Sequence, residues 1–368
     1  MRSVCFISLF LIFLCCTGHN KGSERQLDIR DNNLSIAFWN LENLFHPEND
    51  PLKEDDEFTP DGLRHWTYGR YRDKIKGIWK GLLSFNVQEI PEIIAVCEVE
   101  SRKVMEDLFI NSPFGYLNYD IVHGESPDVR GIDVGLAYNS SKIKLIDTAT
   151  FRVDLKAESN RPTRDILYFS FESNGDTIFL FVNHWPSKYG GAGATEPLRA
   201  LAALRLRALV DSLDKIYRYP KIICSGDFND SEGSGALELL LGEKDVLNQP
   251  GTDSYDSSES LKQHQSQPDE MTLKLLIPQA DIVEGSIKYK GIWQKIDHFI
   301  VSKSLYSPED IGYQINPSSC RIIEHDFLLE RDEKMGGYKP FRTWSGYKYN
   351  GGFSDHLPIL LTLYYREE

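Results

Sequence analysis

Basic residues are in the minority in this sequence. Its 368 residues include 41 Lys and Arg against 55 Asp and Glu, a formal net charge of −14. Such a charge opposes non-specific association with nucleic acid and with anionic membrane surfaces. An anionic ligand must therefore meet a local basic patch. Cysteine is scarce too. Of six cysteines, Cys5, Cys15 and Cys16 crowd the N-terminus, leaving Cys97, Cys224 and Cys320. That odd number argues against a disulfide framework. Cys97 and Cys224 lie in apolar runs and read as small buried hydrophobes. The sequence has no internal repeat and no convincing interior linker.

The N-terminal apolar run, residues 4–14, follows Met1-Arg2-Ser3 and leads into Cys15-Cys16-Thr17-Gly18. This is the pattern of a signal peptide. It is shorter than the ~20 residues a helix needs to cross a bilayer, so a permanent anchor is not expected. Residues 1–18 are read as signal, 19–33 as a polar tether, and 34–368 as one folded domain. The expected location is outside the cytoplasm, periplasmic or secreted. A lipid anchor on Cys15 or Cys16 is the second reading, since neither follows the usual small residue.

The apolar share of 41% supports a substantial core. Short runs rich in β-branched and aromatic residues recur at 34–39, 93–99, 134–138, 166–171, 177–183, 221–225, 298–301 and 357–363, and predict strands. Helical periodicity appears at 71–85, 101–109 and 198–213. Several strands are too close for a crossover, which predicts an α/β domain with mixed sheets. The polar stretch 253–269 reads as a surface insertion.

Six of the runs deliver chemistry at an end. Cys224-Ser225-Gly226-Asp227-Phe228-Asn229 closes a strand with a carboxylate and an amide. Ser354-Asp355-His356 precedes the last strand, putting an acid beside the side chain whose unperturbed pKa lies nearest neutrality. Asn40 closes the first run, and Glu98, with Glu100 two residues on, closes the second. His184 ends a fifth and Asp297 opens a sixth. An acid at the end of an apolar strand is costly to bury without a partner, and a hard cation such as Mg²⁺ is a natural one.

The ordered set Asn, Glu, His, Asp-x-Asn, Asp, Asp-His resembles the endonuclease/exonuclease/phosphatase superfamily, which includes deoxyribonuclease I, apurinic endonucleases, inositol-polyphosphate 5-phosphatases and bacterial sphingomyelinases. The resemblance runs from Leu34 to the last strand. It implies a four-layer α/β/β/α sandwich with two mixed sheets and a Mg²⁺-dependent phosphoesterase, Mn²⁺ being the alternative ion. By the same resemblance Glu98 is the principal metal ligand, with Asn40 and Asp355 close to the ion. His356, oriented by Asp297, is a general base or a transition-state stabiliser. Asp227 orients or deprotonates water, and Asn229 and His184 donate to phosphoryl oxygens. Nuclease members pair the His with a Glu on the preceding strand; here the nearest acid is Asp133, a candidate partner for His184. Glu100 is a candidate supporting group.

Substrate cations are sought among Arg161, Arg164 and Lys188, and further among Arg199, Lys290 and Lys295. Lys188 opens a Gly-rich loop that is not a P-loop, because no Gly-Lys-Ser/Thr follows. Trp293 and Trp344 read as core rather than as membrane wedges. The expected activity is phosphodiester hydrolysis of a nuclease-like kind. A phosphatase of small phosphorylated molecules or a phospholipid phosphodiesterase is the alternative, and a non-catalytic binding module is a more distant one. No stable protein partner is implied, and a monomer is expected.

Overall fold

Side chains alternate along a strand, so a strand buried on both faces feeds two cores. The computed structural model describes residues 33–85, 90–242, 271–307 and 310–367, within a compact unit spanning Asn32–Glu368. The signal segment, the tether to residue 32 and the 253–269 insertion lie outside the described residues.

In chain order come β1 (Leu34–Leu44), α1 (Tyr68–Leu83), β2 (Ile93–Val99), α2 (Arg102–Met105), β3 (Tyr119–Gly124) and β4 (Asp133–Asn139). There follow β5 (Lys144–Phe151), β6 (Ile166–Ser173), β7 (Asp176–His184), α3 (Ala192–Ile216), β8 (Lys221–Asp227), α4 (Gly235–Leu241) and β9 (Leu273–Leu276). A hairpin of β10 (Ile287–Tyr289) and β11 (Ile292–Gln294) precedes β12 (Asp297–Ser302), β13 (Gly312–Ile315) and β14 (Arg321–Ile322). Two small pairs, β15 (Leu329–Arg331) with β16 (Tyr338–Pro340) and β17 (Trp344–Ser345) with β18 (Lys348–Tyr349), lead to β19 (Ile359–Arg366).

One sheet has the order β13-β19-β1-β2-β4-β3, with β14 also against β19. The other has the order β5-β6-β7-β8-β12-β9. Each is antiparallel except for one central parallel pair, β1/β2 in the first and β7/β8 in the second. In β6 and β7, Leu167, Phe169, Phe171, Ile178, Leu180 and Val182 join the core shared with the first sheet. Their alternates Tyr168, Phe179 and Phe181 join a core with Leu206, Val210, Leu237 and Leu240 of α3 and α4. Ile75, Ile78 and Leu82 of α1 join the first core, and Gly81 lets α1 approach the Trp39 ring. The result is the α/β/β/α sandwich with two mixed sheets.

Several elements differ from the periodicity, and two show the reason most plainly. Helix α3 starts six residues before the expected 198, because residues 192–197 are largely exposed and carry no apolar signal. Strand β5 has no apolar run because it is an edge strand with most residues exposed.

Candidate active site

The two parallel pairs bring their C-terminal ends together. Asn40 pairs in register with Cys97, one residue before Glu98, while Asp227 pairs with His184 on one side and Asp297 on the other. Asn40 Nδ2 donates to Glu98 Oε1 of its own sheet and to Asp227 Oδ2 of the other, both at 3.1 Å. His184 Nε2 lies 3.7 Å from each of the same two oxygens. Glu98 and Asn229 both adopt left-handed backbone, φ 59° and 50°. Such conformations are unfavourable for residues with a Cβ and concentrate at functional sites. Hydrogen bonds hold both turns: Asn43 N–H donates to Glu98 Oε2 at 2.8 Å and Asn229 N–H to Asp227 Oδ1 at 2.8 Å.

His356 is buried and points Nδ1 at Asp297 Oδ2, 2.8 Å away, with Nε2 3.8 Å from Asp227 Oδ2. Asp297 Oδ2 also accepts the Ser286 hydroxyl. The motif's serine serves the same end: Ser354 Oγ donates to Asn40 O at 2.6 Å and accepts His356 N–H at 3.1 Å. Burial opposes charge on His356, but Asp297, through charge and hydrogen bond, together with Asp227 and Asp355 raises its pKa well above the ordinary range. The surrounding carboxylates thus favour the charged imidazole. His184 goes the other way: burial, Arg164, Arg130 and His356 hold it neutral. Burial pushes Asp227 up to about 7, with His356 opposing and Asp297 adding to the shift.

The family resemblance implies a divalent cation, and the donor set fits one. Glu98, Asp227 and Asp355 offer carboxylate oxygens suited to a hard ion. Asp297 Oδ1 is buried without a hydrogen-bond partner. Two qualifications follow from the geometry. Asn40 turns Oδ1 toward Glu42 N–H at 2.9 Å, so it bridges the two acids through its nitrogen. Ligand atoms of Asp227, Asp297 and His356 also gather within 4.8 Å, close enough to hold an ion, although His356 Nδ1 already faces Asp297 Oδ2 at 2.8 Å.

Other expected residues fall elsewhere. Asp133 does not partner His184: it lies 3.2 Å from His123 Nε2 and accepts Ser126 N–H. Glu100 turns away from Glu98, because the strand ends in an irregular register at 97–99; it accepts His46 N–H at 2.6 Å. Arg164 is buried and donates to Asp128, His184 O and Trp185 O, so it holds the His184 turn in place. Arg161 is exposed and paired with Glu54 at 2.9 Å. Lys188 pairs with Asp230 at 3.1 Å and buried Arg199 with the same carboxylate at 2.8 Å. Lys290 lies over the Tyr289 ring on the β10–β11 turn, and Lys295 is half-buried just before Asp297. Asn229 Nδ2 donates to Trp185 O at 3.0 Å. Trp344 is buried against Trp66 and Tyr349.

The sequence reading missed a supporting layer. Buried Glu42 accepts Thr343 N–H at 2.6 Å and Trp344 N–H at 3.2 Å, and Lys74, in the same layer, donates to Glu42 O at 2.6 Å. Arg342 donates to Asp355 Oδ2 at 3.0 Å. Burial and Asp355 push Glu42 up to about 7 against Lys74 and Arg342. Glu42 stands in the first motif, where an acid two residues past Asn40 was the available signal. Lys74 had none, being one cation within an amphipathic helix.

Residues 35–365 match the sequence model of the Endonuclease/Exonuclease/phosphatase family. No curated protein matches the sequence. Solved structures of similar fold include D. rerio TDP2 humanized by 14 mutations, with 12% identity and a TM-score of 0.52 over 90% of this chain and 98% of that one. A mannosyl-6-phosphatase from Bacteroides thetaiotaomicron has 15% identity and a TM-score of 0.51 over 90% and 99%. The human Nocturnin catalytic domain, with bound sulfate, has 14% identity and a TM-score of 0.50 over 90% and 94%. At these identities the structures speak to fold; the family model covers nearly all of the sandwich and both sets of strand ends. The chain belongs to the endonuclease/exonuclease/phosphatase family.

Proposed function

We propose that the chain is an exported, metal-dependent hydrolase of phosphodiester bonds with nuclease-like chemistry. The observation that supports it most is the line Asp297–His356–Asp227, which meets Glu98 and Asn40 where the two sheets come together. A divalent ion, Mg²⁺ or Mn²⁺, held by Glu98 and Asp355, would polarise a phosphoryl oxygen and neutralise charge on the leaving group.

The chain's own residues supply the rest. Asp227, whose Oδ2 lies 3.8 Å from His356 Nε2, takes a proton from the attacking water. Asn229 N–H steadies its other oxygen. His356, kept charged by Asp297, donates from Nε2 to oxygen where negative charge accumulates. Neutral His184 offers a second donor. The water displaces the leaving oxygen in line, with no covalent intermediate.

A diester carries one negative charge and a monoester dianion two. In a site built around Glu98, Asp227, Asp297 and Asp355, the smaller charge is the easier to admit, which supports the diester reading. Export rests on the N-terminal apolar run. The test is a panel of double- and single-stranded DNA, RNA, inositol phosphates and sphingomyelin, each with Mg²⁺, Mn²⁺ or EDTA. Metal-dependent cleavage of a diester is expected, with EDTA abolishing it. Turnover of inositol phosphates alone would establish the phosphatase reading, and activity persisting in EDTA would overturn the metal-dependent one.

A further inference from the structure

The expected substrate cations leave a gap: Arg164 is consumed by buried partners, while Arg161 and Lys188 are tied to acids at the rim. A different arginine has the geometry that an acidic phosphoesterase needs. Arg130 sits in a tight turn three residues before β4, whose first residue Asp133 pairs with Val99. Its loop therefore departs from the edge of the sheet where Glu98 stands. The Asp128 carboxylate fixes this arginine three times: Oδ1 accepts Arg130 N–H and Nε–H, each at 3.0 Å, and Oδ2 accepts Nη2–H at 2.9 Å. Asp128 Oδ2 also takes Arg164 Nη1 at 3.1 Å, and Arg164 holds the carbonyls of His184 and Trp185. One buried carboxylate thus ties Arg130 to the turn that carries His184.

We infer that Arg130 is the arginine that grips the substrate's phosphoryl group, with Asp128 setting its orientation. This rests on the phosphoesterase reading above. A guanidinium has five N–H donors in a rigid fork. Asp128 uses the Nε and Nη2 edge, which leaves the Nη1/Nη2 edge for a planar, two-point contact with an oxyanion. The side chain is 46% exposed, whereas Asp128 is 4% exposed, so a ligand can reach the fork while its anchor stays fixed.

Arg130→Gln removes the fork while Asp128 keeps Arg164; Arg130→Lys keeps the charge without the fork. With bis(p-nitrophenyl) phosphate and Mg²⁺, the Gln variant should raise KM tenfold or more, with kcat within threefold and a still cooperative but lower melting transition, since Asp128 loses two side-chain hydrogen bonds. The inhibition constant for inorganic phosphate should rise in parallel, and the Lys variant should recover only part of each loss. Calorimetric titration of phosphate into the Mg²⁺-loaded protein reads the same contact without turnover. Unchanged KM and phosphate affinity in Arg130→Gln would overturn the inference while leaving the hydrolase reading standing. A wild-type protein that binds phosphate through Arg130 but hydrolyses nothing would support the inference and defeat that reading.

Discussion

Asp297→Asn isolates the role assigned to the buried His356–Asp297 pair. The substitution keeps the shape and removes the charge that faces Nδ1 at 2.8 Å. Two losses follow. A hydrogen bond to a charged partner contributes about 1.5–3 kcal/mol, or roughly 10- to 150-fold in rate if it is needed in the transition state. With Asp297 neutral, Asp227 and Asp355 alone oppose burial. If the imidazole returns to its ordinary value near 6.5, roughly a quarter stays charged at pH 7. The product is a loss of roughly 40- to 600-fold in kcat/KM at pH 7. The pH profile carries the sign: a donor held charged by a raised pKa works until pH rises through that pKa. The alkaline decline should therefore move down toward about 6.5 in the variant. The assay is kcat/KM for a chromogenic phosphodiester from pH 5 to 9, with circular dichroism as the control for folding. A folded variant within threefold of wild type at pH 7, with an unshifted alkaline limb, would refute the reasoning.

Three further outcomes concern the frame of the site. Arg164→Leu strands the carbonyls of His184 and Trp185 and removes one partner of Asp128, so urea unfolding should report a loss of about 3–5 kcal/mol. Gly81→Ala should destabilise by about 1 kcal/mol despite better helix propensity, because a Cβ there would stand 2.7 Å from the Trp39 ring and overpacking outweighs the propensity gain; a higher unfolding midpoint would contradict this. Burial pushes Glu100 up to about 8, against the His46 N–H and aided by Asp55. An acid with a raised pKa stabilises fully below its unfolded value near 4.5 and loses that contribution as pH rises through 8. Glu100→Gln should therefore flatten the decline in melting temperature between pH 5 and 9, and an unchanged slope would exclude Glu100 as its source.

The central strands and the ordered polar residues at their ends were legible from the sequence. Buried strands must be apolar and strand side chains must alternate, so runs such as 93–99 and 177–183 declare themselves, as do Glu98 and His184 at their ends. The edge strand β5 and the first turns of α3 were not legible, because exposed elements carry no hydrophobic period. Partnership was the least legible of all. Asp133 and Glu100 stand at promising spacings, yet a register irregularity and a neighbouring histidine take both away from the site. Lys74 and Ser286 had no local signal, since a buried polar residue is defined by partners far along the chain.

The sequence by itself determined the inventory: an acidic α/β chain, Asn40, Glu98, His184, Asp227, Asp297, Asp355 and His356 in family order, and a reaction class that follows from them. The tertiary structure decided what each side chain faces. It raised the pKa of His356 beside Asp297 and lowered that of buried His184. It turned the Asn40 amide nitrogen toward two carboxylates, buried Arg164 beneath the His184 turn, and left Arg130 reaching out from Asp128. Residue types follow from local pattern, but charge state and contact depend on burial and on neighbours that only the folded sheets bring within 4 Å.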